Sequence, residues 1–191
     1  MNKLTDKIKN KKPLTIAFLG DSVTQGCFEL RIADGKGYEP VYRPWEAYSK
    51  KLQQIFEYCI SDMPINILNY GMSGNTAAMG LVRIDEMLCH KPDIVIVCFG
   101  LNDVNKGMAG IQEYEEALKE IFKKVDGIQT IFMTPNMMNT CADAFETNTE
   151  IIKLMNETAD RQNSGVMDAY MTYAKKICDE YNIEVCDCYS I

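Results

Sequence analysis

Two rhythms of apolar residues alternate along this chain. Continuous runs occur at Leu14-Thr-Ile-Ala-Phe-Leu19, Ile65–Leu68, Ile94-Val-Ile-Val-Cys-Phe99 and Ile128–Met133, with a shorter one at Ile183-Glu-Val-Cys186. Short apolar runs bounded by turn residues predict buried strands. The 94–99 run is apolar on both faces and is therefore predicted to be central and parallel. Between the runs, apolar residues recur at steps of three and four, the period of a helix with one buried face. The first such set is Trp45, Tyr48, Leu52, Ile55, Phe56 and Cys59, with Pro44 suited to its first turn. Ala77 to Leu88 forms the next and stops before Pro92. Ile111 to Val125 follows, with glutamates early and lysines late as the helix dipole favours, and Gly127 ends it. Two more helices are predicted around 151–159 and over 166–181, separated by Asn163-Ser-Gly165. The stretch Cys27–Arg43, with Gly35, Gly37 and Pro40, has no clear period and reads as a loop, as does 134–148.

Strands separated by helices predict one α/β domain over residues 1–191. Its architecture is three-layer α/β/α, with an open five-stranded parallel sheet. Lys3, Lys7, Lys9, Lys11 and Lys12 mark residues 1–13 as a basic, solvated arm; no apolar segment follows to make it a secretion signal. Hydrophobic residues at 47% and charged residues at 25% are the proportions of a soluble globular protein. A net charge of −7 argues against a nucleic-acid partner, and no apolar stretch approaches the ~18 residues that cross a bilayer. The eight cysteines contain no CxxC pair, and Cys186-Asp-Cys188 has too few partners for zinc. Buried, reduced thiols in a cytoplasmic protein without metal are the expectation.

The chemistry is concentrated where strands stop. Ser22 follows the first strand directly, between Gly20-Asp21 and the turn-prone Val23-Thr-Gln-Gly26. Parallel α/β sheets bind ligands at this carboxyl edge. Two further strand ends carry Asn69-Tyr-Gly-Met-Ser-Gly-Asn-Thr76 and Gly100-Leu-Asn-Asp103. A serine nucleophile needs exposure, a base and donors for the oxyanion. Gly74 allows close approach to its backbone amide, and the Asn102 side chain donates without carrying charge. Taken singly, Ser22 reads as a turn cap and Asn102-Asp103 as an Asx-turn. Their coincidence at three strand ends points to a serine hydrolase.

These three blocks, in this order and spacing, resemble those of the SGNH, or GDSL-type, esterases and lipases, and the resemblance covers essentially the whole chain. It implies Ser22 as nucleophile, with its own amide, Gly74 and Asn102 as the oxyanion hole. It further implies that Asp21 orients the nucleophile turn, that the topology is flavodoxin-like with strand order 2-1-3-4-5, and that no metal or organic cofactor takes part. Such hydrolases end in a histidine before a proline, on a loop after the fifth strand, and the chain stops at Ile191 without one. His90, the single histidine, precedes the third strand and is expected on the opposite edge from Ser22. Two explanations compete, a natural protein without the base and an N-terminal fragment lacking the histidine loop and closing helix, and the fragment is the expectation. It should have one sheet face partly uncovered and be nearly inactive as an ester hydrolase.

For the substrate, Phe28, Tyr38, Tyr42 and Arg43 of the 27–43 stretch and Met137 or Met138 after the fourth strand are candidate contacts. No long apolar groove for a fatty chain is evident, which favours a short acyl ester such as an acetylated carbohydrate. Two other classes compete. A flavodoxin-like binding module for a nucleotide or flavin would need a phosphate cradle, and GxGxxG and the P-loop pattern are both absent. A catalytically silent scaffold fits the missing histidine but leaves Gly74 and Asn102 unexplained.

Overall fold

The computed structural model describes residues 3–32 and 38–191. The chain opens with a short helix, α1 (Lys3–Lys9), then enters β1 (Leu14–Gly20). A single helical turn follows, α2 (Ser22–Gln25), and then β2 (Cys27–Ile32) and β3 (Tyr38–Tyr42). The middle of the chain runs α3 (Tyr48–Cys59), β4 (Ile65–Gly71), α4 (Ala77–Leu88) and β5 (Ile94–Cys98). A 3-10 segment, Asp103–Gly110, leads into α5 (Ile111–Lys124) and β6 (Gln129–Met133). The last elements are α6 (Thr149–Asn163), α7 (Val166–Glu180) and β7 (Glu184–Cys186).

Five strands form one parallel sheet in the order β4-β1-β5-β6-β7, which is the expected 2-1-3-4-5 arrangement once β2 and β3 are set aside. β1 lies between β4 and β5 in register, so Gly20 pairs with both Gly71 and Cys98. Three strand ends that carry polar clusters therefore emerge side by side.

Side chains alternate across the sheet, and the two faces are covered unequally. Ala17, Leu19, Val95, Val97 and Phe132 enter the larger core with residues of α4, α5 and α7. Leu14, Ile16, Phe18, Ile65 and Ile94 face the other way, under Tyr48, Leu52 and Phe56 of α3 and Leu4 of α1. Beyond α3 a groove of about 780 Å³ opens over Ile96, Ile131 and Met133.

Four sequence expectations change. The stretch 27–43 is an antiparallel hairpin, not a loop: Cys27 pairs with Tyr42 and Leu30 with Pro40. Its signal is the alternation Phe28, Leu30, Ile32 against Glu29, Arg31, overlooked because Pro40 argues against a strand. Proline is tolerated here because a two-stranded ribbon has two edges. Arg31 also pairs across the ladder with Glu39 at 2.6 Å. Gly35, Gly37 and the side chain of Tyr38 lie outside the described residues. Pro44 starts only a 3-10 turn; Ala47 is extended (ψ 146°), α3 begins at Tyr48, and Trp45 is left exposed. The basic arm is partly helical, because Lys7 pairs with Asp93 at 3.0 Å and Leu4 packs on the smaller core. Of the eight free cysteines only Cys98 and Cys178 are buried. No helix among the described residues is long and apolar enough to cross a membrane.

Candidate functional site

Ser22 owes its position to a collision avoided. β1 ends at Gly20, and α2 starts so abruptly that it lies on the end of β4: a Cβ on Gly71 would stand 2.2 Å from the Gln25 nitrogen. The turn is closed at both ends. Asp21 caps it through an Oδ1 that accepts from the Val23 N–H at 3.0 Å, and Gly26 (φ 105°) ends it in the left-handed region. Asn69 donates to the Thr24 carbonyl at 2.8 Å, and the Thr24 and Tyr48 hydroxyls share a hydrogen bond of 2.8 Å. Ser22 is half-buried and is the first residue of this turn, so its N–H has no intrahelical acceptor.

The second strand end wraps back towards it. The Met72 N–H donates to the Gly20 carbonyl at 3.1 Å, and the Ser73 N–H donates to Gln25 Oε1 at 2.8 Å. Gly74 is exposed and left-handed (φ 74°), and a Cβ there would meet nothing within 4 Å. Backbone conformation, not crowding, is what asks for glycine at this position. The third strand end delivers Asn102, whose Nδ2 donates to the Asn75 carbonyl at 3.0 Å. An amide NH₂ has two protons, so this bond orients Asn102 and leaves its second N–H available.

Beneath lie two buried carboxyls. Asp21 is fully buried and Asp103 nearly so; burial pushes each up to about 6, against the backbone N–H bonds that lower it. Asp103 Oδ1 accepts from the Ala77 N–H at the start of α4 at 2.9 Å, and the negative charge of Asp21 raises Asp103 further.

The structure thus brings Asp21, Ser22, Gly74 and Asn102 to one sheet edge. His90 lies beyond the other end of α4, about 18 Å along the helix axis from Ala77, beside the Tyr70 ring. Of the candidate substrate contacts, Phe28 lines the groove beside α3 together with Val23, the neighbour of Ser22. Tyr42, Arg43 and Met137 lie outside its lining, and Arg43 sits 3.5 Å from Glu29 instead. The groove's walls, including Phe18, Leu52, Ile131 and Met133, are mostly apolar, which the sequence reading did not foresee. It also missed Asn69 and Gln25, whose signal is a polar residue at a strand end and in a turn. Arg83 was missed too, although its signal is a charge beside the apolar Ala77, Gly80, Ile84, Met87 face of α4.

A family model described as GDSL-like lipase/acylhydrolase matches residues 18–191. The chain belongs to this family. No curated protein matches it in sequence. Among solved structures, it is similar to a gut microbial diltiazem-metabolizing enzyme (TM-score 0.70, 16% identity), covering 94% of this chain and 37% of that one. It is also similar to the lipase/acylhydrolase from Enterococcus faecalis (TM-score 0.68, 20% identity), covering 93% of this chain and 77% of that one. A variant of Axe2, an acetyl xylan esterase from Geobacillus stearothermophilus, gives a TM-score of 0.63 at 22% identity, covering 94% of this chain and 79% of that one. The chain thus spans little more than a third of the first of these relatives and over three quarters of the other two. At these identities the likeness is one of fold, and the family match shows membership of the GDSL-like lipase/acylhydrolase family.

Proposed function

We propose that Ser22 is the nucleophile of this esterase and that its substrates are short acyl esters, acetylated carbohydrates among them. The observation that carries the reading is the Asn102–Asn75 hydrogen bond, which leaves one Asn102 N–H beside the Gly74 turn and the Ser22 turn. In this reading the Ser22 oxygen attacks the acyl carbon. The oxyanion that forms takes hydrogen bonds from the Ser22 and Gly74 amides and from Asn102, and collapse expels the alcohol and leaves acyl-Ser22. Water then repeats the attack and releases the acid. Asp21 orients the turn through its bond to the Val23 N–H. Within these 191 residues the single histidine lies at the far edge, so among them no imidazole receives the Ser22 proton and in this chain it leaves to solvent base. Loss of one triad member leaves about 10³–10⁴-fold catalysis over water, far below full activity. Hydrolysis by these 191 residues is therefore weak.

Short acyl groups are supported by analogy with the acetyl xylan esterase that shares the fold. A second reading, longer acyl chains, is favoured by the groove that begins at Val23 and Phe28. The test is intact-mass detection of acyl-Ser22 after exposure to p-nitrophenyl acetate, and to the octanoate in parallel. The chain should take up one acetyl group, and Ser22→Ala should take up none. Acylation of Ser22→Ala to the same extent would remove Ser22 from the mechanism, and preference for octanoate would transfer the substrate to the second reading.

A further inference from the structure

Arg83 projects from the middle of α4 towards the carboxyl edge of the sheet, and its guanidinium is half-buried. Nε donates to Asn75 Oδ1 at 3.0 Å, Nη2 to the Gly20 carbonyl at 2.9 Å, and Nη1 to the Tyr70 carbonyl. Those acceptors belong to three segments: the end of β1 just before Asp21, the end of β4, and the turn that contains Gly74. Among the described residues no carboxylate stands within ion-pair distance of it. Burial lowers its pKa, with Glu86 acting in the opposite sense.

A charge that is partly desolvated and satisfied only by neutral oxygens is an expensive way to fasten two strand ends. What it achieves is geometric. The guanidinium fork is planar, with donors in fixed directions, so its three partners cannot shift independently. One of them, Asn75, also presents its carbonyl to Asn102, and another, Gly20, accepts from the Met72 N–H as well. We infer that Arg83 is a positioning residue of the ester-cleaving site: it holds the nucleophile strand end and the Gly74 turn at a set separation and, through Asn75, aims Asn102. The inference rests on the Ser22–Gly74–Asn102 reading above. Oxyanion donors act only when held close to the productive geometry, and a misplacement of about 1 Å can cost about 10²-fold in rate.

Arg83→Met removes charge and fork, while Arg83→Lys keeps the charge and loses the fork. Two readouts are taken on the same samples: Ser22 acetylation by p-nitrophenyl acetate as a function of ester concentration, and backbone hydrogen exchange. In both variants the limiting acetylation rate should fall about 10²-fold, with half-saturation changed less than about twofold. Exchange over residues 71–76 should accelerate at least about tenfold while α5 keeps its protection. Wild-type acetylation in either variant overturns the assignment, as does a loss accompanied by loosening of α5, which would mark a general folding defect. A wild-type chain that never takes up acetyl overturns the esterase reading instead. That failure is distinguishable, because exchange over 71–76 still reports whether Arg83 holds the turn.

Discussion

Asp103 is the residue at which this site meets the stability of the fold. Its carboxyl is raised from 3.8 to about 6 because burial disfavours the charged form more than the Ala77 N–H favours it. A group that binds its proton more tightly when folded stabilises the native state below its unfolded pKa and loses that contribution as pH rises through the folded one. The contribution is therefore full near pH 4 and gone above about pH 6, a change on the order of 3 kcal/mol. Asp103→Asn keeps an oxygen for the Ala77 N–H and removes the titration. Denaturant unfolding should show the variant gaining on wild type between pH 4 and pH 6.5, and a constant difference across that range would contradict the burial argument. Asp21, raised to about 6 by the same cause, adds a pH dependence of the same sign.

The element that organises the site is α2, four residues long and too short to be stable alone. Beyond its local caps at Asp21 and Gly26, what holds it is tertiary: Asn69, Tyr48 through Thr24, the Ser73 N–H on Gln25, and the flat surface presented by Gly71. Gly71→Ala would drive a methyl group into the backbone of Gln25, so the turn has to move. We expect about 1–3 kcal/mol of destabilisation, by analogy with overpacking elsewhere. Ser22 acylation should also be lost in the fraction that remains folded. A variant with normal acylation would mean that the turn tolerates displacement. The apolar runs of β1 and β5 and the helical period of α5 were plain in the sequence, because each is local and obeys a single rhythm. The β2–β3 hairpin was not: its alternation is short, Pro40 contradicts it, and its stability comes from cross-strand pairing. Ser22 and Asn102, the proposed nucleophile and oxyanion donor, were legible as polar residues where apolar strands stop, and Gly74 as a glycine inside the second polar cluster. The interactions of Arg83 and Asn69 were not, since they join segments far apart in the chain.

At the scale of the whole molecule, the sheet is lopsided. α4, α5 and α7 build the larger core on one face, whereas α3 and α1 cover only part of the other. Ile96, Ile131 and Met133 are left half-buried in the groove. Native protein should therefore bind an apolar fluorescent dye, and Ile131→Glu should reduce that binding while costing little stability, within about 1 kcal/mol. Dye fluorescence indifferent to the substitution would place the binding surface elsewhere. That the groove runs up to Val23 depends on where the hairpin and α3 come to rest, which no local pattern in the sequence shows.

The hairpin leaves the domain at Gly26 and returns at Arg43, and the Arg43 N–H donates to the Gly26 carbonyl at 2.8 Å. Departure and return thus share one latch, next to the turn that bears Ser22. Substitutions in the described strands of the excursion are therefore expected to leave the path of the chain on either side of the latch unchanged. Phe28 sits on the excursion and lines the groove, so substitutions at this position would remodel the groove wall while the supporting turn keeps its attachments.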